Sequence, residues 1–160
     1  LKYNFSDHID LIISNLPYNI SSQIMVNLCL LPKKPEFLIF MFQKEFALRL
    51  LEKKLNSLNS LVNCFFEIKD YFHVSKNCFR PIPKVNSTVL FLKKRKKPLL
   101  LNAEINCYVN FKRNIFSHKR KTLNYSLKKY NFPKNKFNLS LRVEEITLIE
   151  LIYLFRKINL

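Results

Sequence analysis

Glycine is absent from all 160 residues, where ordinary usage is roughly 7%. That absence excludes every glycine-rich phosphate loop, because those loops need backbone positions without a Cβ. Tryptophan is missing too, methionine occurs twice, and alanine is almost gone, while Lys, Asn, Ile, Leu and Phe abound. Under such a composition drift a single Asn or Lys carries little message. Acidic residues are scarce: 11 Asp+Glu face 28 Lys+Arg, a formal charge of +17. The excess favours a polyanionic partner, nucleic acid foremost, over an acidic small molecule; the alternative is a merely solvated lysine surface. Cys29, Cys64, Cys78 and Cys107 form no C-x-x-C pair, and His8, His73 and His118 lack metal-ligand spacing. Buried reduced thiols are therefore expected, with no disulfide framework and no metal site. No apolar run reaches the roughly 18 residues of a membrane span, and no signal or transit pattern opens the sequence.

What is present suffices for a core: 48% of residues are hydrophobic and 14% aromatic. The leucine start and the missing glycine nevertheless point to a chain cut from a longer one. Residues 9–14 form an apolar run suited to a strand buried on both faces. Ser21 or Ser22 is positioned to cap a helix that Pro32 and Pro35 end. "FLIFMF" at 37–42 reads as a second strand and "QKEFALRLLEKKL" at 43–55 as a second helix, an alternation that argues for a parallel α/β sheet. Residues 58–66 read as helix and 67–75 as strand. Residues 78–85 are irregular because Pro81 and Pro83 remove donors, and 86–92 form a strand antiparallel to its predecessor. "KKRKKP" at 93–98 reads as a linker. Beyond it Phe111, Ile115, Phe116, Leu123 and Leu127 predict a basic amphipathic helix decorated by Lys112, Arg113, Lys119, Arg120, Lys121, Lys128 and Lys129. Thr147 and Glu150 make a capping box ahead of a last helix.

The stretch "SNLPYNI" at 14–20 ends the first strand, where open α/β sheets put their chemistry. Asn-Leu-Pro-Tyr at such a position suits methylation of the exocyclic amine of adenine. The N6 lone pair is delocalised into the ring, so the amine is a poor nucleophile until acceptors take up its hydrogens. The Asn15 side-chain oxygen and a backbone carbonyl in the Leu16-Pro17 turn are the acceptors on offer. Pro17 fixes the turn and Tyr18 is available to stack on a base that has left its helix. The alternative is a structural turn, with Asn15 bonded to its own backbone and Tyr18 in the core.

The chain resembles the ribosomal RNA adenine N6,N6-dimethyltransferases, specifically the small-subunit enzymes. The resemblance runs through nearly its whole length on "NLPYNISS" at 15–22, "MFQKEFALRL" at 41–50, "FRPIPKVNSTV" at 79–89, "FSHKRKTLNYSL" at 116–127 and "RVEEITLIEL" at 142–151. It implies an α/β fold: the C-terminal part of a Rossmann-like, S-adenosylmethionine-dependent methyltransferase sheet over residues 1–92, a basic linker at 93–98, and a small all-helical RNA-binding domain at 99–160. It further implies dimethylation of adjacent adenosines in the 3′-terminal hairpin of small-subunit rRNA, a step of ribosome biogenesis. Asn15 would lie beside cofactor and amine, Phe79 would cover the base face opposite Tyr18, and Lys112, Arg113, Lys119, Arg120 and Lys121 would meet phosphates. A monomer without metal or membrane is implied, in a bacterial cytoplasm, a plastid or a mitochondrion.

"LKYNFSD" is similar to the tail of a Gly-Asp-Ala-Leu motif of the family, which implies a cofactor half upstream of Leu1 and an isolated chain that is inactive. Ser14 stands where many members have Gly, Asn86 where many have Asp, and His118 where Gln or Arg is common. Three other readings stay open: a non-catalytic RNA-binding assembly factor or relic, a large-subunit rRNA adenine methyltransferase, and a mitochondrial transcription factor of the same fold.

Overall fold

The computed structural model describes residues 9–17, 19–118, 120–130, 132 and 137–158. The N-terminal stretch with His8, Tyr18 and Lys119 lie outside them. Four strands, β1 (Leu11–Asn15), β2 (Phe37–Gln43), β3 (Phe66–Val74) and β4 (Ser87–Lys94), form one sheet in the order β1-β2-β4-β3. β1 runs parallel to β2, and β4 lies antiparallel to both β2 and β3. The connections explain this. Between β1 and β2 the chain crosses over through helix α1 (Ser21–Leu30), whereas β3 and β4 are joined by a short irregular loop. β2 is the most apolar strand and lies between two others, with Leu38, Phe40 and Phe42 buried.

β1 departs from its expected two-sided burial. Its only described neighbour is β2, and Leu11 and Ile13 are 45% and 67% exposed. The apolar run has the composition of an interior strand but holds an edge among the described residues. Beside it, an apolar hollow of about 640 Å³ lies between β1 and α1, lined by Leu11, Ile12, Leu16, Ile24, Leu28 and Phe40 among others.

Helices α2 (Lys44–Leu51) and α3 (Asn59–Phe65) cover the sheet, with Ala47, Leu50, Leu61, Val62 and Phe65 buried. α3 is preceded by an asparagine network: Asn56 Oδ1 accepts from the Leu58 and Asn59 backbone amides, and the Asn59 side-chain Nδ2 donates to the Glu52 and Lys54 carbonyls. The stretch read as a linker is partly structured. Lys93 and Lys94 continue β4, and Arg95 donates to the Asn63 carbonyl at 2.8 Å and pairs with Glu67 at 2.8 Å.

The C-terminal region comprises α4 (Ile105–Ser117), the short α5 (Leu123–Ser126) and α6 (Leu148–Ile158). Tyr108, Phe111 and Phe155 pack ring to ring, and the buried Tyr108 hydroxyl donates to the Ser60 carbonyl of α3 at 3.0 Å. One hydrophobic core thus runs from the sheet through α3 into the C-terminal helices. The Thr147–Glu150 capping box forms as expected, the Thr147 amide donating to Glu150 at 2.7 Å and the Glu150 amide to Thr147 Oγ1 at 3.2 Å. The basic amphipathic helix does not run through. α4 stops at Ser117 and the chain turns before α5, so Arg120 and Lys121 stand in a turn rather than on a helix face. No helix among the described residues is long and apolar enough to cross a membrane.

Candidate functional site

Asn15 is the last residue of β1, paired in register with Met41, and it is exposed. Among the described residues no group bonds to its carboxamide, which argues against the self-bonded turn. Leu16 then turns inward and is buried, its amide reaching the Met41 carbonyl at 3.4 Å. The Pro17 carbonyl accepts twice, from the Ile20 amide at 3.3 Å and from Ser21 Oγ at 3.0 Å. Both of its lone pairs are engaged. The Leu16 carbonyl takes no described donor, so it is the backbone acceptor the turn leaves available beside Asn15.

Ser21 therefore acts differently from the sequence expectation. It is the first residue of α1, Ile20 holds the N-cap position, and no side chain caps the helix. The serine hydroxyl instead ties the helix start to Pro17, fixing the turn that carries Leu16. Nothing in the local pattern distinguishes this role from capping.

Phe79 lies on the loop between β3 and β4, half-buried and outside the hydrophobic core. A short 3₁₀ turn (Lys76–Cys78) precedes it, capped by Ser75, whose Oγ accepts from the Asn77 amide, and the Arg80–Pro81 peptide that follows is cis. Asn86 anchors this loop: its Oδ1 accepts from the Lys76 amide and its carbonyl from the Lys44 amide, each at 2.9 Å. Since Asn86 only accepts here, an asparagine serves where many members of the resembled family carry an aspartate. The ends of β1 and β2 and the start of β4 lie at one end of the sheet. Two strand spacings, roughly 10 Å, separate Asn15 from Val89 of β4. Asn15 at the end of β1, Leu16 and Pro17 just after it, and Phe79 on the β3–β4 loop thus stand at the same end of the sheet, and Tyr18 lies outside the described residues.

The basic cluster divides. Arg113, Arg120 and Lys121 are exposed, and Lys119 lies outside the described residues. Lys112 is a correction. It is buried, and its ammonium donates to the Ser57 carbonyl at 2.8 Å and Ser57 Oγ at 3.1 Å, tying α4 to the start of α3. Burial pulls its pKa below the ordinary lysine value, and the neighbouring Arg113 adds to that. Two of its donors are thereby engaged within the protein. The cysteines divide too: Cys29 and Cys64 are buried, with burial pushing both thiols up to about 12, but Cys78 and Cys107 are exposed. All four are free, and no group of metal-binding side chains occurs among the described residues.

The profile of a family described as "Ribosomal RNA adenine dimethylase" matches residues 2–153. A protein of Thermotoga maritima named ribosomal RNA small subunit methyltransferase A is 37% identical over 149 residues, covering 91% of this chain and 51% of its own length. A protein of the same name from Flavobacterium johnsoniae is 36% identical over 171 residues, with 99% and 65% covered. The chain thus spans about half to two thirds of these relatives. A dimethyladenosine transferase from Plasmodium falciparum superposes with a TM-score of 0.82 at 25% identity, over 96% of this chain and 68% of that one. The 23S rRNA methyltransferase ErmE superposes at 0.71 and 22% identity, over 96% and 66%, a likeness of fold alone. The sheet is accordingly the Rossmann-like sheet of rRNA adenine methyltransferases, and the chain belongs to the ribosomal RNA adenine dimethylase family.

Proposed function

We propose that this chain is the target-binding part of an S-adenosylmethionine-dependent enzyme that dimethylates N6 of adjacent adenosines in the 3′-terminal hairpin of small-subunit rRNA, acting as a monomer in ribosome biogenesis. The observation that carries the reading is a pair of acceptors at the end of β1 that no described residue engages, the Asn15 carboxamide and the Leu16 carbonyl, next to the Pro17–Ser21 hydrogen bond. The chemistry of this pair fits an amine that must give up conjugation. In the first transfer each acceptor takes one N6 hydrogen, the nitrogen pyramidalises, and its lone pair is localised on N6 instead of being shared with the ring; in the second transfer the one remaining hydrogen engages one acceptor. As the N–C bond formed and the donor's S–C bond broke, positive charge would grow on N6 and its hydrogens would be held more strongly, so the acceptors' contribution would be realised in the transition state; the neutral thioether would leave and one N6 proton would pass to water.

S-adenosylmethionine supplies the sulfonium methyl group when bound; Asn15 is the residue of this chain that would lie beside it. Phe79 and Tyr18 form the walls against which the extruded adenine stacks, and Asn86 holds the Phe79 loop to the sheet. Arg113, Lys119, Arg120 and Lys121 meet phosphates of the hairpin. The choice of the small subunit is supported by the names of the curated relatives at 36–37% identity.

The test is methyl transfer by the complete protein to hairpin RNA. N6,N6-dimethyladenine has no N6 hydrogen left to pair, so reverse transcription should halt at two neighbouring adenines after incubation with the methyl donor. Halting on a large-subunit fragment instead would redirect the substrate, and incorporation into neither RNA would remove the enzymatic reading.

A further inference from the structure

The turn that interrupts the basic segment builds a second feature, away from the strand-end acceptors. Between the end of α4 and α5 lies an open cleft of about 500 Å³, lined by Asn114, Ser117, His118, Tyr125, Lys128 and Lys129 among others. Tyr125 is 52% exposed even though it sits on a helix whose Leu123 and Ser126 are buried. Its ring is fixed from one side: the His118 imidazole meets it edge-on at 5.5 Å and 88°, and the Lys121 ammonium lies 5.6 Å from its centroid. Lys129 lies 4.9 Å from the Tyr130 ring, and Tyr130 Oη in turn accepts from the Asn114 amide at 3.1 Å. Arg120, Lys121, Lys128 and Lys129 are exposed, and none of them pairs with a carboxylate among the described residues.

An exposed, oriented aromatic in a cleft with cations that pair with no carboxylate among the described residues has the two elements that single-stranded nucleic acid needs: a π-face for a base and positive charge for its backbone. A duplex presents no free base face. A lipid surface or an acidic protein would use the charge and leave the ring without a stacking partner.

We propose that Tyr125, oriented by His118 and flanked by Lys121, Lys128 and Lys129, is a stacking subsite for one unpaired nucleotide of the RNA, separate from the adenine that is methylated. This rests on the reading of the chain as an RNA-binding member of its family. The subsite would hold a loop or flanking nucleotide while the basic turn holds the backbone.

The chain lacks tryptophan, so Tyr125→Trp introduces a single indole that reports stacking directly. The 160-residue variant is titrated at low salt with an eight-nucleotide oligoadenylate, with a duplex of the same length, and with an abasic ribose-phosphate oligomer. Oligoadenylate should quench the indole, and the duplex and abasic oligomer should not. Tyr125→Ala should weaken oligoadenylate binding by roughly 5- to 150-fold, and Tyr125→Phe should restore it. Equal affinity of Tyr125→Ala and the unsubstituted chain, or of oligoadenylate and the abasic oligomer, overturns the subsite and leaves RNA binding by charge intact. Failure of all three oligomers to bind overturns both the subsite and the RNA-binding reading beneath it.

Discussion

Lys112 separates an RNA-binding role from a structural tie, because the two roles respond to different measurements. Lys112→Met keeps the length and apolar stem of the side chain and removes its charge and its donors. The ammonium's two bonds to Ser57, at 2.8 and 3.1 Å, then disappear from a buried setting. Bonds from a charged donor contribute roughly 1.5–3 kcal/mol each. Against this, the variant no longer desolvates an ammonium, a cost of several kcal/mol that offsets much of the gain. The Ser57 carbonyl also retains the Ser60 hydroxyl as a donor at 3.3 Å, so it is not left bare. The balance is a loss of about 2 kcal/mol, which for a chain of this size lowers the thermal midpoint by roughly 4–8 °C. RNA affinity should keep its salt dependence. The double change Arg120→Gln with Lys121→Gln should do the reverse, leaving the midpoint in place and lowering the log–log salt slope by about 0.7 for each phosphate that is no longer neutralised. The assays are thermal unfolding followed by circular dichroism and RNA titration across a salt series. A Lys112→Met protein of unchanged stability whose salt slope falls by about 0.7 would refute the burial argument.

Three further outcomes follow from the same structure. Removing either proposed wall, Phe79→Ala or Tyr18→Ala, should weaken RNA binding and slow methyl transfer by the complete protein, since a stacked base is worth roughly 1–3 kcal/mol; unchanged single-turnover rates in folded variants would remove the wall assignment. The isolated 160-residue chain should bind S-adenosylmethionine poorly, since it has no glycine for the cofactor loop, and a low-micromolar dissociation constant by calorimetry would contradict this. Cys29 and Cys64 are raised by burial from 9.0 to about 12, so between those values the folded state binds more protons than the unfolded one. Stability should therefore fall as pH rises from about 9 towards 12, by on the order of 1 kcal/mol per unit and thiol, and Cys29→Ala should remove one share of that slope in denaturant titrations.

Much of the sheet is legible in the sequence because its strands are apolar or β-branched runs bounded by prolines and polar turns. "FLIFMF" has no other plausible home than an interior strand, and β2 is one. β1 carries the same signal but lies at an edge of the described sheet, since a sequence run reports what a strand is built to bury and not which neighbours are present. The break between α4 and α5 is hidden because "SHKRKT" contains no glycine or proline; the Lys121 amide instead donates to the His118 carbonyl at 2.8 Å, and the chain enters α5 through an extended Thr122. Lys112 reads as surface through its charge. The corrective signal is its spacing: it stands four residues after Tyr108 and three before Ile115, on the buried stripe of α4. At the strand end, Asn15 and Pro17 can be read as a turn with chemistry, but which carbonyl remains available cannot. That depends on Ser21 closing back on Pro17, a bond made only once the helix starts where it does.

The central claim is that Asn15 and the Leu16 carbonyl accept the hydrogens of a target amine, and single-turnover methylation of hairpin RNA by the complete protein tests it most directly. Asn15→Ala should lower the rate at saturating RNA on the order of 100-fold, by analogy with loss of one preorganised donor from an oxyanion hole, while RNA affinity and thermal midpoint stay near those of the unsubstituted protein. A folded Asn15→Ala protein that methylates at the unsubstituted rate would contradict the claim and reduce the Asn-Leu-Pro-Tyr stretch to a structural turn.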